Sequence, residues 1–201
     1  MNTLDLFRLD GRTAMVTGGG RGLGRYMAGA LADAGANVAL CARKREPLEE
    51  VRREIEARGG KALALECDVT EPESVEEAVR ETEEAFGSVD VLVNNSGATW
   101  GAPAAEMPLD RFDQVLQVNV RGTFLMSQAV GRRMIESGSG GTIINISSVA
   151  GIVGGNPDYM QTVGYNTSKG AIISMTRDLA TSWAPHGITV NAMLRAGSRP
   201  A

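Results

Sequence analysis

The sequence is poor in the residues that build metal sites, disulfide frameworks and histidine-based catalysis. Of its 201 residues, two are cysteine (Cys41 and Cys67) and one is histidine (His186). Two cysteines are too few for a disulfide framework and each lies in an apolar run, so we predict buried, reduced side chains in a cytoplasmic protein. A single histidine excludes most metal sites. It also excludes a Ser-His catalytic triad that would use a histidine other than His186. His186 is better explained as a polar residue of a turn.

Long apolar runs and a surplus of positive charge are also missing. No run approaches the ~18 apolar residues that a membrane span needs. Residues 1–10 lack the basic start and apolar core of a signal peptide. The net charge is −4, so the sequence lacks the surplus of basic residues that is typical of nucleic-acid-binding domains. We therefore expect no membrane and no nucleic-acid partner. With 43% hydrophobic and 22% charged residues, the composition is typical of a globular domain with a sizeable core.

Short apolar runs alternate along the chain with stretches of helical periodicity. Six runs predict strands at residues 13–17, 38–42, 62–67, 89–93, 142–147 and 188–192. Residues 70–73 have the pattern of a helix capping box. A long helix is predicted over residues 109–136, with an inward face of Phe112, Val115, Leu116 and Phe124. The alternation implies right-handed crossovers and a parallel sheet covered on both faces. We predict one doubly wound α/β domain, a Rossmann fold, over residues 1–201.

A glycine-rich turn joins the first predicted strand to the first predicted helix. It reads Thr17-Gly18-Gly19-Gly20-Arg21-Gly22-Leu23-Gly24. Glycines let the backbone turn sharply and approach a pyrophosphate, and the start of the helix offers free N–H groups and the positive end of its dipole. In this position the turn predicts a dinucleotide site.

The end of the second predicted strand indicates which dinucleotide binds. An NAD site usually has an acidic residue there, whereas residues 41–45 contain Arg43, Lys44 and Arg45 and no acid. A carboxylate would repel a 2′-phosphate, but Arg43 offers it a bidentate fork, and Arg21 can reach the same phosphate from the glycine turn. We predict NADP(H) over NAD(H). The alternative is a solvated run of charge, which is the better explanation of Lys44.

Tyr165 and Lys169 are spaced one helical turn apart, so that both side chains lie on one face. A phenol has a pKa near ~10, and a nearby lysine cation favours the phenolate and lowers that pKa. Such a pair can move a proton to or from an alcohol or carbonyl oxygen near neutral pH. Taken alone, the pair is more simply explained as an accident of a solvated helix.

Further motifs remove that ambiguity. The sequence has Asn94-Asn95-Ser96-Gly97 after the fourth predicted strand, Asn119 in the long helix, and Ser147-Ser148 after the fifth strand. With the glycine turn and the Tyr165/Lys169 pair in the same order, the chain resembles the classical short-chain dehydrogenases/reductases over about residues 9–192. Within that family it looks most like the branch of 3-oxoacyl-(acyl-carrier-protein) reductases and gluconate 5-dehydrogenases. A flavodoxin-like binder with no oxidoreductase role would leave the catalytic motifs unexplained.

The resemblance implies hydride transfer between NADP(H) and a small-molecule carbonyl or secondary alcohol, by a homo-oligomer (dimer or tetramer) in the full-length form. Its implied catalytic residues are Asn119, which anchors a water against the lysine, Ser148, which holds the substrate oxygen, Tyr165, the proton donor, and Lys169, which lowers the tyrosine pKa and binds the nicotinamide ribose. Asp68, with Val69 beside it, matches the contact to adenine. The expected cofactor-binding residues are Thr17, Gly18, Gly20, Arg21, Gly22, Leu23, Gly24, Arg43, Asp68, Val69, Asn95, Gly97, Tyr165 and Lys169.

Two segments depart from the family pattern. The loop between Ser148 and Tyr165 is longer than usual and holds a second tyrosine, Tyr159, which has Val163 rather than lysine one turn on and is not a catalytic candidate. Substrate selection in the family depends largely on the segment after the sixth strand and partly on the 98–107 loop, where Trp100 could face a substrate or simply pack.

Residues 193–201 depart furthest. The family normally continues after Val190-Asn191-Ala192 with a Pro-Gly turn, a segment that covers the substrate and a seventh strand. Here the sequence reads Met193-Leu194-Arg195-Ala196-Gly197-Ser198-Arg199-Pro200-Ala201. A one-base deletion in a suitable coding sequence for the usual continuation gives this tail and a stop, so we expect a frameshift, an open edge at the sixth strand, and poor solubility or weak activity. The alternative function is therefore a catalytically weak remnant that binds only nucleotide or a partner.

Overall fold

The computed structural model describes residues 3–155 and 161–196. They form one parallel sheet in the order β3-β2-β1-β4-β5-β6. The strands are β1 Thr13–Thr17, β2 Asn37–Ala42, β3 Lys61–Glu66, β4 Val91–Asn94, β5 Gly141–Ser148 and β6 Ile188–Arg195. The helices are α1 Gly22–Asp33, α2 Arg45–Ala57, α3 Pro72–Phe86, α4 Leu109–Leu116, α5 Gly122–Ser137 and α6 Val163–Trp183. The predicted doubly wound sheet of six strands is confirmed.

The strands form because their alternating side chains are apolar on both faces. Along β1, Met15 belongs to a core that also holds Leu92 and Ile143, while Val16 belongs to a second core that also holds Leu40. The first core lies under α3, α5 and α6, and the second under α1 and α2. A sheet that is buried on both faces needs such continuous apolar strands, with helices packed against each side.

The sheet reverses its order of construction at β1, which has β2 on one side and β4 on the other. Crossovers on the two sides of β1 run in opposite directions, so a crevice opens beyond the carboxyl ends of β1 and β4. The glycine turn follows β1, and residues 94–97 begin at the last residue of β4. This topology therefore brings the two motifs together.

Three predictions about the helices are wrong in detail. The helix expected over 109–136 is divided by a π-helical turn, Gln117–Arg121, into α4 and α5. Phe124 is 40% exposed instead of facing inward. The capping box does not form, because α3 starts at Pro72 with Glu71 as a cap that makes no side-chain bond, and the hydroxyl of Thr70 donates to Asp68 Oδ1 instead (2.8 Å).

The sixth strand is longer than predicted. It continues through Met193, Leu194 and Arg195, each paired in register with the end of β5. Within the described residues β6 is an edge of the sheet, as expected, and Met193 is half-exposed there. Residues 197–201 of the tail, and Tyr159 in the long loop, lie outside the described residues.

Both cysteines are buried and unpaired, as predicted. Burial raises the pKa of the Cys41 thiol, and it raises that of Cys67 to about 11. Within residues 3–155 and 161–196 no three metal-binding side chains cluster. None of the helices in these same ranges has the length and apolarity to cross a membrane.

Candidate active site

The glycine turn contains positions where only glycine fits, among them Gly18 and Gly24. Gly18 has a φ of +65°, and a Cβ there would lie 2.8 Å from Asn95 Nδ2. A Cβ at Gly24 would overlap the carbonyl oxygen of Gly18 and lie 2.6 Å from the same amide nitrogen. The first turn of α1 therefore packs directly on the loop, which keeps the backbone N–H groups of the turn near one another.

Thr17 and Asn95 hold this turn against the end of β4. Thr17 Oγ1 accepts hydrogen bonds from the backbone N–H groups of Asn95 (3.0 Å) and Ser96 (2.9 Å). Asn95 Nδ2 donates to the carbonyl oxygens of Thr17 (3.0 Å) and Gly18 (3.3 Å). Thr17 is buried, and the hydrogen bonds of Thr17 Oγ1 and Asn95 Nδ2 position the loop.

The surroundings of the turn suit an anionic dinucleotide. No side chain caps the N-terminus of α1, so its first N–H groups remain available to a phosphate. Arg21 and Arg43 are exposed on either side, and neither forms an ion pair within the described part of the chain. By contrast, Arg45 pairs with Glu49 at 3.1 Å.

The remaining predicted cofactor residues occupy the same edge of the sheet. Asp68 follows β3, and its Oδ1 accepts from the Thr70 backbone N–H at 3.0 Å, which fixes the carboxylate. Val69 is buried and packs against Gly122, where an added Cβ would lie 2.7 Å from Val69 Cγ2. A Cβ added at Gly97 would lie 3.4 Å from Asn119 Oδ1. Gly20 and Leu23 lie within the turn and the first residues of α1. These residues therefore fit a nicotinamide dinucleotide.

The tyrosine and lysine pair is helical, as its spacing predicts. Lys169 Nζ lies 5.5 Å from the centre of the Tyr165 ring, near the start of α6, and Nζ donates a 2.6 Å hydrogen bond to the Ile146 carbonyl oxygen. The lysine side chain is buried, whereas Tyr165 is half-exposed. Burial, together with the positive charge of Arg195, lowers the pKa of Lys169 to about 8.

Asn119 is fully buried in the π-helical turn between α4 and α5. Its Nδ2 donates to the Ala98 carbonyl oxygen (2.9 Å) and to Ser168 Oγ (2.8 Å), and its Oδ1 accepts from the Ala98 backbone N–H (2.7 Å). Ser168 Oγ in turn donates to the Tyr165 carbonyl oxygen (2.7 Å). Asn119 therefore ties the loop after β4 to α6, and both of its amide hydrogens are used by the protein.

The two serines at the end of β5 have different partners. Ser147 Oγ donates to the Lys169 carbonyl oxygen (2.9 Å), which fixes α6 against the strand. Ser148 Oγ accepts from the Ala150 backbone N–H and donates to the Arg195 carbonyl oxygen, both at 3.2 Å. Gly151, in the following turn, approaches so closely that a Cβ would lie 2.7 Å from the Lys169 carbonyl carbon. The end of β5 and helix α6 thus form one packed unit.

A buried polar network behind the site escaped the sequence analysis. Asn94 Nδ2 donates to Ser127 Oγ and to Asn145 Oδ1, both at 2.9 Å, and Asn145 Nδ2 donates to Thr176 Oγ1 at 3.0 Å. These side chains connect α5 and α6 through β4 and β5. The signal in the sequence was a polar residue inside each apolar strand, but only the alignment of the strands reveals that Asn94 and Asn145 are partners.

The model of the short chain dehydrogenase family matches residues 12–198. The chain belongs to that family. The match spans the turn, the β4 motif and the tyrosine and lysine pair, which the fold brings to one edge of the sheet.

Curated and solved relatives of this chain differ in substrate and cofactor. A sorbitol dehydrogenase of Cereibacter sphaeroides is 41% identical over 186 residues, covering 92% of this chain and 70% of the relative. A NAD-dependent glycerol dehydrogenase of Listeria innocua is 36% identical over 187 residues, covering 93% and 70%. A gluconate 5-dehydrogenase from Burkholderia cenocepacia, solved in complex with NADP and tartrate, is 36% identical and covers 97% of this chain and 74% of that chain, with a TM-score of 0.90. Membership of the family supports oxidoreductase chemistry on alcohols or carbonyls.

Proposed function

We propose that this protein transfers a hydride between NADP(H) and a small carbonyl or secondary alcohol substrate. The observation that carries the proposal is the common location of the Tyr165/Lys169 pair and the glycine turn. Both lie at the carboxyl edge of one sheet, with Ser148 at the end of the strand that α6 packs against. A site with a proton donor next to a dinucleotide cradle supports this chemistry.

In the reductive direction Tyr165 donates its phenolic proton to the substrate oxygen, and in oxidation it accepts that proton back. When bound, the nicotinamide supplies or accepts the hydride. The Lys169 cation lies against the tyrosine ring and favours the phenolate that forms when the proton leaves. The hydroxyl of Ser148 rotates from the Arg195 carbonyl oxygen toward the substrate oxygen and stabilises its developing charge.

The role of Asn119 is to position these groups. Its side chain joins Ala98 to Ser168, the residue that precedes Lys169. With both amide hydrogens used, the Asn119 side chain can contact a relay water only as an acceptor, at Oδ1. Lys169 can donate to such a water, which would return the proton to Tyr165.

The preference for NADP(H) is supported by the charge around the turn. Arg43 directly follows β2, at the position where an NAD site has its acid, and its guanidinium is free of carboxylates within the described residues. Because NAD-dependent and NADP-bound relatives both exist, the family alone does not decide the cofactor. The two buried, unpaired cysteines support a cytoplasmic location, and a homo-oligomer remains part of the proposal.

The test is oxidation of a panel of polyols and hydroxy acids with NADP⁺ and with NAD⁺. The reaction is measured by the absorbance of the reduced nicotinamide. We expect turnover with NADP⁺ and with at least one secondary alcohol. Binding of NADPH without turnover of any alcohol or ketone would instead support the remnant that only binds nucleotide.

A further inference from the structure

Arg195 places a positive charge beside the catalytic groups. It is the last residue of β6, and its backbone is paired in register with Ser148. Ser148 Oγ donates to the Arg195 backbone carbonyl oxygen at 3.2 Å, so the strand pairing places the backbone of this arginine at the reacting end of the site. Its side chain is exposed, and it forms no ion pair within residues 3–155 and 161–196.

The site holds two cations and few groups to balance them. The positive charge of Arg195 acts on Lys169, whose own Nζ donates to the Ile146 carbonyl oxygen. Asp68 is an acid along this edge, but it follows β3, and its Oδ1 accepts hydrogen bonds from Thr70. β3 is separated from β5 by three strands. An anionic ligand near Ser148 would relieve the repulsion between the two cations, whereas a neutral ligand would not.

We propose that Arg195 binds a carboxylate of the substrate, so that this site selects polyhydroxy acids over neutral polyols of the same length. The planar guanidinium fits a carboxylate with two parallel hydrogen bonds. This inference rests on the proposed function, because it names the class of alcohol that the same site oxidises.

Relatives of this chain include proteins named for neutral polyols and one named for a polyhydroxy acid. Two of those described above are named for neutral polyols, sorbitol and glycerol, and one is named for gluconate and holds tartrate, a dicarboxylate. Likeness to them therefore leaves the substrate class open, and the proposal rests instead on the charge and position of Arg195.

The experiment compares D-gluconate with D-sorbitol, which share a six-carbon polyol chain and differ by a carboxylate in place of a hydroxymethyl group. Steady-state oxidation with NADP⁺ is measured for the unmodified chain, Arg195→Gln and Arg195→Lys. The matched control is Arg177→Gln, which removes an exposed positive charge from α6. We expect gluconate to be preferred at least about tenfold in kcat/KM, since a charge-assisted pair contributes that much or more.

Arg195→Gln should reduce the preference by about ten- to a hundredfold through KM for gluconate. Arg195→Lys should keep part of it, and Arg177→Gln all of it. A rise in the melting temperature on adding gluconate, present in the unmodified chain and lost in Arg195→Gln, gives a second readout that does not need turnover.

Each other outcome is decisive. Turnover of sorbitol and gluconate with equal kcat/KM overturns the inference and leaves the proposed function standing. If Arg195→Gln raises KM for NADP⁺ and not for gluconate, the arginine serves the cofactor and the inference is again overturned. If neither alcohol is oxidised, the proposed function fails for these substrates, and the thermal measurement alone decides whether Arg195 binds the carboxylate.

Discussion

The glycine turn and the catalytic cluster lie at the same edge of the sheet, but they are built in opposite ways. The turn is a continuous run, Thr17 to Gly24, whose shape depends on the absence of side chains. The catalytic cluster takes Asn119, Ser148, Tyr165 and Lys169 from separate parts of the chain. Side-chain hydrogen bonds of Asn119 and of the neighbouring Ser147 and Ser168 hold the elements that carry them together. The glycine turn should therefore lose cofactor affinity when an atom is added to it, and the catalytic cluster should lose activity when an atom is removed from it.

The largest effect should come from removing one oxygen in the catalytic cluster. Tyr165→Phe deletes the proton donor, and we expect kcat to fall by about 10²- to 10⁴-fold while NADPH binding stays close to that of the unmodified chain. Steady-state kinetics and a fluorescence titration of NADPH measure the two effects. Tyr26→Phe, on the exposed face of α1, is the matched control. A Tyr165→Phe chain that keeps most of its activity would remove the tyrosine from the mechanism.

The reverse pattern is expected when an atom is added to the turn. Gly24→Ala places a Cβ against the Gly18 carbonyl oxygen and Asn95, which forces the backbone apart at a cost of about 1–3 kcal/mol. Affinity for NADPH should fall by up to about a hundredfold, and the melting temperature should fall too. Gly154→Ala, where a Cβ meets nothing within 4 Å, should change neither. If Gly24→Ala binds NADPH normally, the cofactor does not depend on the close packing of this turn.

The charge of Lys169 makes the catalytic cluster sensitive to pH. Its pKa is lowered to about 8, so the cation is present below that pH and is lost as pH rises through it. We expect kcat/KM for carbonyl reduction to fall above about pH 8, approaching tenfold per pH unit. A pH–rate profile tests this. In Arg195→Gln the fall should move to higher pH, because one cause of the lowered pKa is removed. A flat profile up to pH 10.5, the ordinary pKa of lysine, would contradict the role of the cation.

Cofactor choice should depend on a single residue next to the turn. NADPH should bind at least about tenfold more tightly than NADH, because one charge-assisted pair contributes roughly 1.5–3 kcal/mol. Arg43→Asp should shrink or reverse that preference, whereas Lys44→Asp should leave most of it. Dissociation constants for both nucleotides measure the ratio. Equal affinities of the unmodified chain for NADPH and NADH would contradict the assignment of NADP(H).

The smallest effect should come from the polar network behind the catalytic cluster. Thr176→Val removes the acceptor of the Asn145 amide and should lower the free energy of unfolding by about 1–3 kcal/mol. Thr181→Val is a matched control, because both hydroxyls donate to the carbonyl oxygen four residues earlier in α6, but Thr181 is exposed. Urea denaturation compares the two. Equal losses would show that the network adds nothing to stability.

Sequence patterns served best where structure is local. The six strands and the glycine turn followed from apolar runs and glycine spacing, and the Tyr165/Lys169 pair followed from helical spacing. The capping box at residues 70–73 failed because Thr70 bonds to Asp68, two residues before it, rather than to the helix. The inward placement of Phe124 failed because the π-helical turn before it shifts the face of α5 that follows.

The sequence by itself determined the alternation of strands and helices and the glycine turn, since these depend on residue type and on spacing of a few positions, and its resemblance to a family supplied the candidate catalytic residues. Only the tertiary structure decided that Asn94 meets Asn145, that Asn119 ties Ala98 to Ser168, and that β6 continues far enough to place Arg195 beside Ser148. The physical reason is that strand register and helix packing join residues distant in sequence. The resulting burial and charge, which lower the pKa of Lys169, exist only once the chain is folded.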